Sequence, residues 1–159
     1  AAHKRYAARF VLAKRASQVI VVLDRESRPQ PAEAFSKVLG RELRRQVRGC
    51  EGEHAARRVF VAVADRRFEN WLLADPEGVS KSKLLGKKAN LVGKVACHAD
   101  ERDALELLRG AIARGWYNKA IHGPQLAQHI RMKPTGVSWC SKSFAAFLGL
   151  VTVRDKPLR

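Results

Sequence analysis

Two short apolar runs in this chain have the pattern of buried β-strands. Residues 19–23 and 59–64 are continuous and rich in β-branched side chains, and an aspartate follows each, Asp24 and Asp65. Runs of this kind are typical of strands buried on both faces, as in the centre of a parallel sheet. A helical pattern separates them, which makes a βαβ unit. Its right-handed crossover predicts parallel strands with both carboxyl ends on one edge.

Apolar residues that recur every three or four positions predict the helices. The clearest helix covers residues 31–49, with Pro31 in its first turn and Gly49 at its end. Further helices are predicted over residues 3–16, 66–74, 100–114, 123–130 and 143–150, and Asp100 is the predicted N-cap of the third of these. Residues 76–98 mix glycine, lysine and serine with isolated apolar residues, which predicts a long basic loop.

These elements predict one α/β domain over residues 1–153, followed by a loose basic tail at 154–159. A chain of 159 residues, 46% of them hydrophobic, supports a single core of ordinary size. The expected architecture is three-layered and Rossmann-like, an open and mostly parallel sheet with helices on its faces.

The charge balance predicts an anionic partner. The chain has 31 lysine and arginine residues against 15 aspartate and glutamate residues, a formal net charge of +16. A positive charge of this size is larger than solubility requires, and nucleic acid is the first anionic partner to consider. The residues expected to contact the nucleic acid are Arg25, Arg66, Arg67, Lys81, Lys83, Lys87, Lys88, Lys119 and His122. The alternative for Lys81, Lys83, Lys87 and Lys88 is a solvated loop without nucleic-acid contact. The alternative for His122 is a residue of an exposed turn bounded by Gly123 and Pro124.

The three cysteines include no C-x-x-C pair, so neither a disulfide framework nor a cysteine zinc site is predicted. A reducing compartment, the cytoplasm, is the expected location. No apolar stretch of the sequence is long enough to cross a bilayer, so no membrane contact is expected. A transit peptide is the alternative interpretation of the basic first residues, but they contain few serines and continue into a strand.

Acidic residues follow the two strands, at the edge where ligands of open α/β sheets gather. Asp24, Glu26, Asp65 and Glu69 belong to that region. Asp65 and Glu69 share a helix face if the helix begins directly after the strand. Several carboxylates at one edge suit Mg²⁺ or Mn²⁺, which takes oxygen ligands and orients phosphate groups. In the structural alternative, the aspartates cap helices and the glutamates pair with neighbouring arginines.

Four segments resemble a prokaryotic family of Toprim-like domains, domain of unknown function 4276: residues 19–26, 69–75 (E-N-W-L-L-A-D), 116–124 and 141–144. The resemblance implies a Toprim-type nuclease-like domain, associated with phage defence or mobile elements, in which acidic residues hold Mg²⁺. It implies catalytic roles for Asp24, Glu26 and Glu69, which would bind the metal together with Asp65 and Asp75. Glu69 and Asp75 are separated by about a third of a helical turn, so the two need not bind one ion. A cap or a closed turn before Pro76 is the alternative for Asp75, and Glu69 is therefore preferred as a site residue.

Two features depart from that family's pattern. No strand with a following glutamate precedes Val19, and Asp24-Arg25-Glu26 stands in place of D-x-D. The chain is therefore either the C-terminal part of a longer protein or one with an altered acidic site. Two functions stay open: Mg²⁺-dependent cutting or rejoining of phosphodiester bonds in DNA or RNA, and non-catalytic nucleic-acid binding with a protein partner or as an oligomer. A nucleotide enzyme ranks last, because neither glycine-rich phosphate-binding motif is present.

Overall fold

The computed structural model describes residues 16–113, 115–131 and 139–152. In chain order its elements are β1 (Val19–Asp24), α1 (Ala32–Ala56), β2 (Val59–Ala64), α2 (Phe68–Leu72), α3 (Pro76–Val79), α4 (Leu91–Val95), a 3₁₀ turn (Ala99–Glu101), α5 (Ala104–Ala111), α6 (Lys119–Ala127) and α7 (Lys142–Thr152). The predicted mixed α/β class is confirmed. The helix predicted over residues 3–16, apart from residue 16, and the tail at 154–159 lie outside the described residues.

The chain divides into two compact units, residues 1–63 with 146–159 and residues 64–145. We call them the first and the second unit and describe each by itself. Across the described ranges, no helix combines the length and the apolar character that a bilayer span requires. The single domain predicted over residues 1–153 stays a prediction.

The first unit contains the sheet, in which β1 and β2 pair in parallel as the βαβ pattern predicts. β2 is largely buried, with Val59 at 0% exposure, whereas β1 is half-buried and its Val22 is 44% exposed. The prediction that β1 is a central strand buried on both faces is therefore wrong. Over the described residues the sheet has two strands, so β1 has a neighbour on one side alone.

Helix α1 packs on β2 through the predicted apolar stripe, and Leu43 and Val47 are each 1% exposed. The predicted end at Gly49 is wrong, because the helix continues to Ala56 with an interruption at Gly52. Gly52 has a φ of 83°, a left-handed conformation that glycine adopts without a side-chain clash. Glu53 pairs with both Arg48 and Arg57, which ties together the segments before and after the break.

The second unit is a cluster of short helices around a leucine-rich core. Leu72, Leu91, Leu108 and Leu126 come from four different helices and are 0–1% exposed. A helix is confirmed within the predicted range 66–74, but α2 is shorter than predicted, at Phe68–Leu72; its Trp71 is buried as expected.

The predicted loop at 76–98 is wrong, because it contains α3 and α4. Each of these one-turn helices is capped by the side chain before it: Asp75 accepts from the Gly78 N–H at 3.0 Å, and Asn90 from the Gly93 N–H at 2.9 Å. Each also buries apolar residues, such as Leu91 in α4. Such short helices leave no periodic pattern in the sequence.

Three later boundaries also differ from the predictions. Helix α5 is capped by Asp103, which accepts from the Glu106 N–H at 3.1 Å, and Asp100 does not cap it. Helix α6 does not begin at Gly123-Pro124 but four residues earlier at Lys119, because the Asn118 side chain accepts from the Ala120 and Ile121 N–H groups and caps the helix there. The predicted last helix is confirmed as α7, slightly longer at both ends.

Candidate functional site

Glu69 is a buried carboxylate of the second unit. It lies on α2, where residues 69–72 are all buried, and its side chain is 2% exposed. The Lys119 ammonium lies 3.7 Å from Glu69 Oε2. The Tyr117 hydroxyl is also close enough to Glu69 for the carboxylate charge to shift the pKa of the phenol. A carboxylate removed from water is costly unless cations and hydrogen bonds replace its hydration. An ion pair with a lysine that is itself 56% exposed compensates this cost only in part.

Glu69 Oε2 and the Tyr117 hydroxyl are both buried, and neither atom makes a hydrogen bond of normal geometry to a described residue. Burial, and then the charge of Glu69 and the closeness of its carboxylate as an acceptor, raises the pKa of Tyr117 above its ordinary value, so the phenol keeps its proton. Unsatisfied buried polar atoms are rare in proteins, and they occur at sites of strain, catalysis or ligand binding. This position is therefore the strongest candidate for a ligand site in the described part of the second unit.

His122 lies next to Tyr117 on α6 and is 8% exposed. Its ring centroid is 6.0 Å from that of Tyr117 and 5.0 Å from that of Trp116. The Asn118 N–H donates to His122 Nδ1 at 2.9 Å, which assigns the proton of a neutral imidazole to Nε2. The predicted turn at His122 is wrong, because the residue belongs to a helix and its ring is covered by aromatic neighbours.

We call Glu69, Trp116, Tyr117, Lys119 and His122 the Glu69 cluster. Three of them, Glu69, Lys119 and His122, are predicted site residues that the fold brings together across about fifty positions of sequence. Tyr117 was missed as a site residue, although it lies in the same W-Y-N-K segment as Lys119. Its proximity to Glu69 is a property of the packing of α2 against the segment that leads into α6, which no local pattern reveals.

Asp65 directly follows β2 but does not lie on α2. Arg66 has a φ of 68° and Arg67 is extended, so the helix begins only at Phe68. The prediction that Asp65 and Glu69 share a helix face is therefore wrong. The backbone N–H of Asp65 donates to Ser143 Oγ at 3.1 Å.

Ser143 joins several parts of the second unit. Its Oγ accepts from the Trp71 indole N–H at 2.8 Å as well as from Asp65, and it donates to Asp100 Oδ1 at 3.0 Å. Asp100 also accepts from the Ser141 hydroxyl at 2.7 Å and from the Ser143 N–H at 3.1 Å. Asp100 thus stabilises the start of α7 instead of capping α5 as predicted.

Both carboxylate oxygens of Asp75 are engaged by protein groups. Oδ1 accepts from the Gly78 N–H and from Arg131 Nη2 (2.5 Å), while Oδ2 accepts from the Arg131 N–H (2.9 Å) and Nε (2.8 Å). Burial alone would raise the pKa of Asp75, but the bonds from Arg131 and Gly78 hold it below its ordinary value. The capping alternative for Asp75 is confirmed, and its role as a metal ligand stays a prediction.

Asp24, Arg25 and Glu26 belong to the first unit, at the end of β1. Arg28 pairs with Glu26 at 3.5 Å and donates to the Asp24 carbonyl at 3.0 Å, while Arg25 donates to the Arg28 carbonyl at 2.6 Å. Arginine side chains thus cover the carbonyls of this turn, and the Glu26 side chain is 64% exposed. The catalytic and metal-binding roles of Asp24 and Glu26 stay predictions.

The cations predicted to contact phosphate are mostly at the surface. Lys81, Lys83, Lys87 and Lys88 lie between α3 and α4, and all four are exposed. Arg66 and Arg67 are exposed as well, and Arg66 donates to the Glu101 carbonyl at 3.0 Å. Exposure is what contact with a phosphate backbone requires.

No group of three or more histidine, cysteine, aspartate and glutamate side chains within the described ranges could hold a metal ion. Mg²⁺ is often bound by one or two carboxylates, with waters and substrate phosphates as its other ligands. Glu69 Oε2 makes no hydrogen bond to a described residue, so it is a carboxylate oxygen that could serve as one such ligand.

The profile of a family described as Domain of unknown function (DUF4276) matches residues 2–151 of the chain. This range includes every residue of the Glu69 cluster. Neither a curated protein nor a solved structure gives a significant match.

Proposed function

The chain belongs to the DUF4276 family of domains of unknown function, and we propose that it is a Toprim-like protein that processes phosphodiester bonds in nucleic acid. The observation that carries the proposal is the buried Glu69 carboxylate, with an oxygen that makes no hydrogen bond to a described residue. Retaining such a group costs stability, and ionisable groups of this kind cluster at functional sites. A three-layer Toprim arrangement of sheet and helices is part of the proposal.

In this proposal the Glu69 cluster binds one phosphate of the strand. The Lys119 side chain, 56% exposed, neutralises phosphate charge, and Tyr117 provides a phenol that keeps its proton and donates a hydrogen bond. Trp116 is 49% exposed and offers a face on which a base can stack. Glu69 is the ligand for Mg²⁺ or Mn²⁺, an ion that stabilises charge on the attacking and leaving oxygens of phosphoryl transfer.

Replacing Glu69 with glutamine tests this proposal. We expect cleavage of labelled single- and double-stranded DNA and RNA in Mg²⁺ or Mn²⁺ to fall by about a hundredfold or more, since even residues that only support a metal ligand contribute ten- to a hundredfold. Thermal unfolding should show an unchanged or higher midpoint, because the substitution removes a buried charge whose hydration is only partly replaced.

Glu106→Gln is the matched control, because Glu106 is an exposed glutamate on α5 of the same unit. It should leave both cleavage and stability unchanged. If Glu69→Gln cleaves as well as the parent, or if its only effect is a large drop in the unfolding midpoint, Glu69 is a structural residue and the catalytic proposal fails.

Non-catalytic nucleic-acid binding is the second candidate. The exposed lysine segment between α3 and α4 favours it. Under this candidate the parent protein shows no cleavage in either ion but retains nucleic acid, and the retention weakens with added salt because bound phosphates release counterions.

Replacing Lys81, Lys83, Lys87 and Lys88 together with glutamine should weaken binding to unrelated sequences to a similar extent. Each phosphate contact that is lost reduces the slope of log K against log salt by about 0.9 for duplex DNA. Fluorescence anisotropy across a salt series measures both quantities. An unchanged slope, or a loss confined to one base sequence, would show that these lysines only solvate the surface.

A further inference from the structure

Cys97 and Cys140 bring their sulfur atoms to within 3.0 Å, although 43 residues separate them in the chain. Both are free cysteines. A disulfide has a sulfur–sulfur bond of about 2.05 Å, so bond formation requires an approach of roughly 1 Å. We propose that Cys97 and Cys140 form a reversible intramolecular disulfide, a redox modification site that does not depend on the proposed function.

Backbone hydrogen bonds hold the two cysteines in place. The Cys140 carbonyl accepts from the Ala99 N–H at 2.8 Å, two residues after Cys97, and the Cys140 N–H donates to the Ala74 carbonyl at 3.0 Å. Cys140 is thus bonded through its backbone on both sides. The sulfur contact is therefore part of the packing of the second unit and not a chance meeting of two surface side chains.

The backbone around Cys97 has a strained conformation. Ala96 and Cys97 have φ angles of 46° and 58°, in the left-handed region that side-chain-bearing residues seldom adopt. Two consecutive residues of this kind persist only where the surrounding structure fixes them. Here they turn the chain directly after α4, at the position where the Cys97 sulfur meets that of Cys140.

The two thiols have different surroundings, which sets the order of the reaction. Cys97 is exposed, whereas Cys140 is 7% exposed. Burial, and then its contact with Cys97, raises the pKa of Cys140. Both cysteines line a cavity of about 170 Å³, which gives the sulfurs room to move. Cys97 is therefore the thiol that an oxidant reaches first, and Cys140 the thiol that closes the bond.

With a low-molecular-weight disulfide as oxidant, the reaction is two exchanges. The Cys97 thiolate attacks one sulfur of the oxidant, forms a mixed disulfide and releases one small thiolate. The Cys140 thiolate then attacks the Cys97 sulfur, forms the protein disulfide and releases the second. Two protein thiols are oxidised, one small disulfide is reduced to two thiols, and the two protons lost by the cysteines end on those thiols.

The test is equilibration of the full chain with oxidised and reduced glutathione at a series of ratios. Free thiols are then alkylated, and the products are identified by intact mass and peptide mapping. We expect the thiols of Cys97 and Cys140 to disappear together, with a crosslinked peptide that joins positions 97 and 140, whether or not the exposed Cys50 carries glutathione. The closed loop should raise the unfolding midpoint by about 5–10 °C. Loop closure should be faster at higher pH, since it needs the Cys140 thiolate.

Single substitutions separate the steps. Cys50→Ser should form the 97–140 crosslink like the parent, because Cys50 is exposed and belongs to the first unit. Cys140→Ser should accumulate glutathione on Cys97, and Cys97→Ser should form no crosslink. If the parent holds glutathione on Cys97 without ever forming the 97–140 crosslink, or if both thiols stay free at ratios that modify Cys50, the proposal is overturned. Neither outcome bears on the cleavage assay.

Discussion

Replacing Asp75 with alanine is expected to lower the free energy of unfolding by about 3 kcal/mol. The substitution removes the cap of α3, worth about 1 kcal/mol, and breaks a buried ion pair, a change that usually costs about 3–5 kcal/mol. The expected loss is smaller than the sum of these two costs, because the Arg131 side chain is 35% exposed and keeps its contact with Glu77 at 3.0 Å, so its charge is not left buried and unpaired. Urea unfolding followed by circular dichroism measures the difference.

The effect of Asp75 should depend on pH in a defined direction. Its pKa is lower in the folded protein than the ordinary value of 3.8, so its contribution is fully present above that value. The contribution is lost as the pH falls through the folded-state pKa. The stability gap between the parent and Asp75→Ala should therefore be constant near neutrality and narrow below about pH 3.8, and a gap that widens in acid would contradict the assignment.

Glu77→Ala is the control for this experiment. Glu77 contacts the same guanidinium but its side chain is 54% exposed, and exposed pairs contribute only about 0–1 kcal/mol. A loss as large as that of Asp75→Ala would mean that Arg131, and not the buried carboxylate with its cap, dominates the stability of this region.

Replacing Trp71 with alanine is expected to cost about 4 kcal/mol, because removal of a buried aromatic ring leaves a cavity. Trp71 is 3% exposed and its ring centroid lies 6.4 Å from that of Phe68 and 5.8 Å from that of Phe144. The indole N–H also donates to Ser143 Oγ. Circular dichroism is the suitable readout, since the substitution removes a fluorophore.

The contribution of the hydrogen bond between Trp71 and Ser143 to the free energy of unfolding can be measured separately. Trp71→Phe keeps an aromatic ring but loses the hydrogen bond to Ser143, and we expect a cost of about 1–2 kcal/mol in addition to the loss of ring size. Combined with Ser143→Ala in a double-mutant cycle, it should give a coupling energy of about 1 kcal/mol. Additive effects would show that the indole is held by packing alone.

The sequence predicted the elements whose patterns are long or strongly apolar. β2 and α7 carry such patterns, and α1 begins where Pro31 predicts, whereas the short α2 was predicted two residues too long at each end. The errors lie where a few tertiary contacts outweigh the local pattern. Gly49 is helical, because the interruption of α1 occurs at Gly52 instead. The one-turn helices α3 and α4 depend on single capping side chains and on buried apolar residues. β1 has the composition of a central strand, but its burial depends on neighbours that its own sequence does not specify.

The candidate site could be predicted residue by residue but not as an arrangement. Glu69, Lys119 and His122 were identified from motif and charge. The contact of Glu69 with Tyr117, like that of Cys97 with Cys140, joins positions more than forty residues apart and follows only from the packing of the helices. The turn at Arg66, which separates Asp65 from α2, requires a left-handed conformation that arginine rarely adopts and that its residue type therefore does not signal.

The position of Ser143 has a consequence for how the protein matures. Its hydroxyl joins Asp65 and Trp71, which precede it by 78 and 72 residues. During synthesis, the end of β2 and the indole of α2 leave the ribosome long before this partner does, and closing so wide a loop carries an entropic cost. The indole and the Asp65 amide must therefore remain solvated or find temporary partners until translation has passed Ser143.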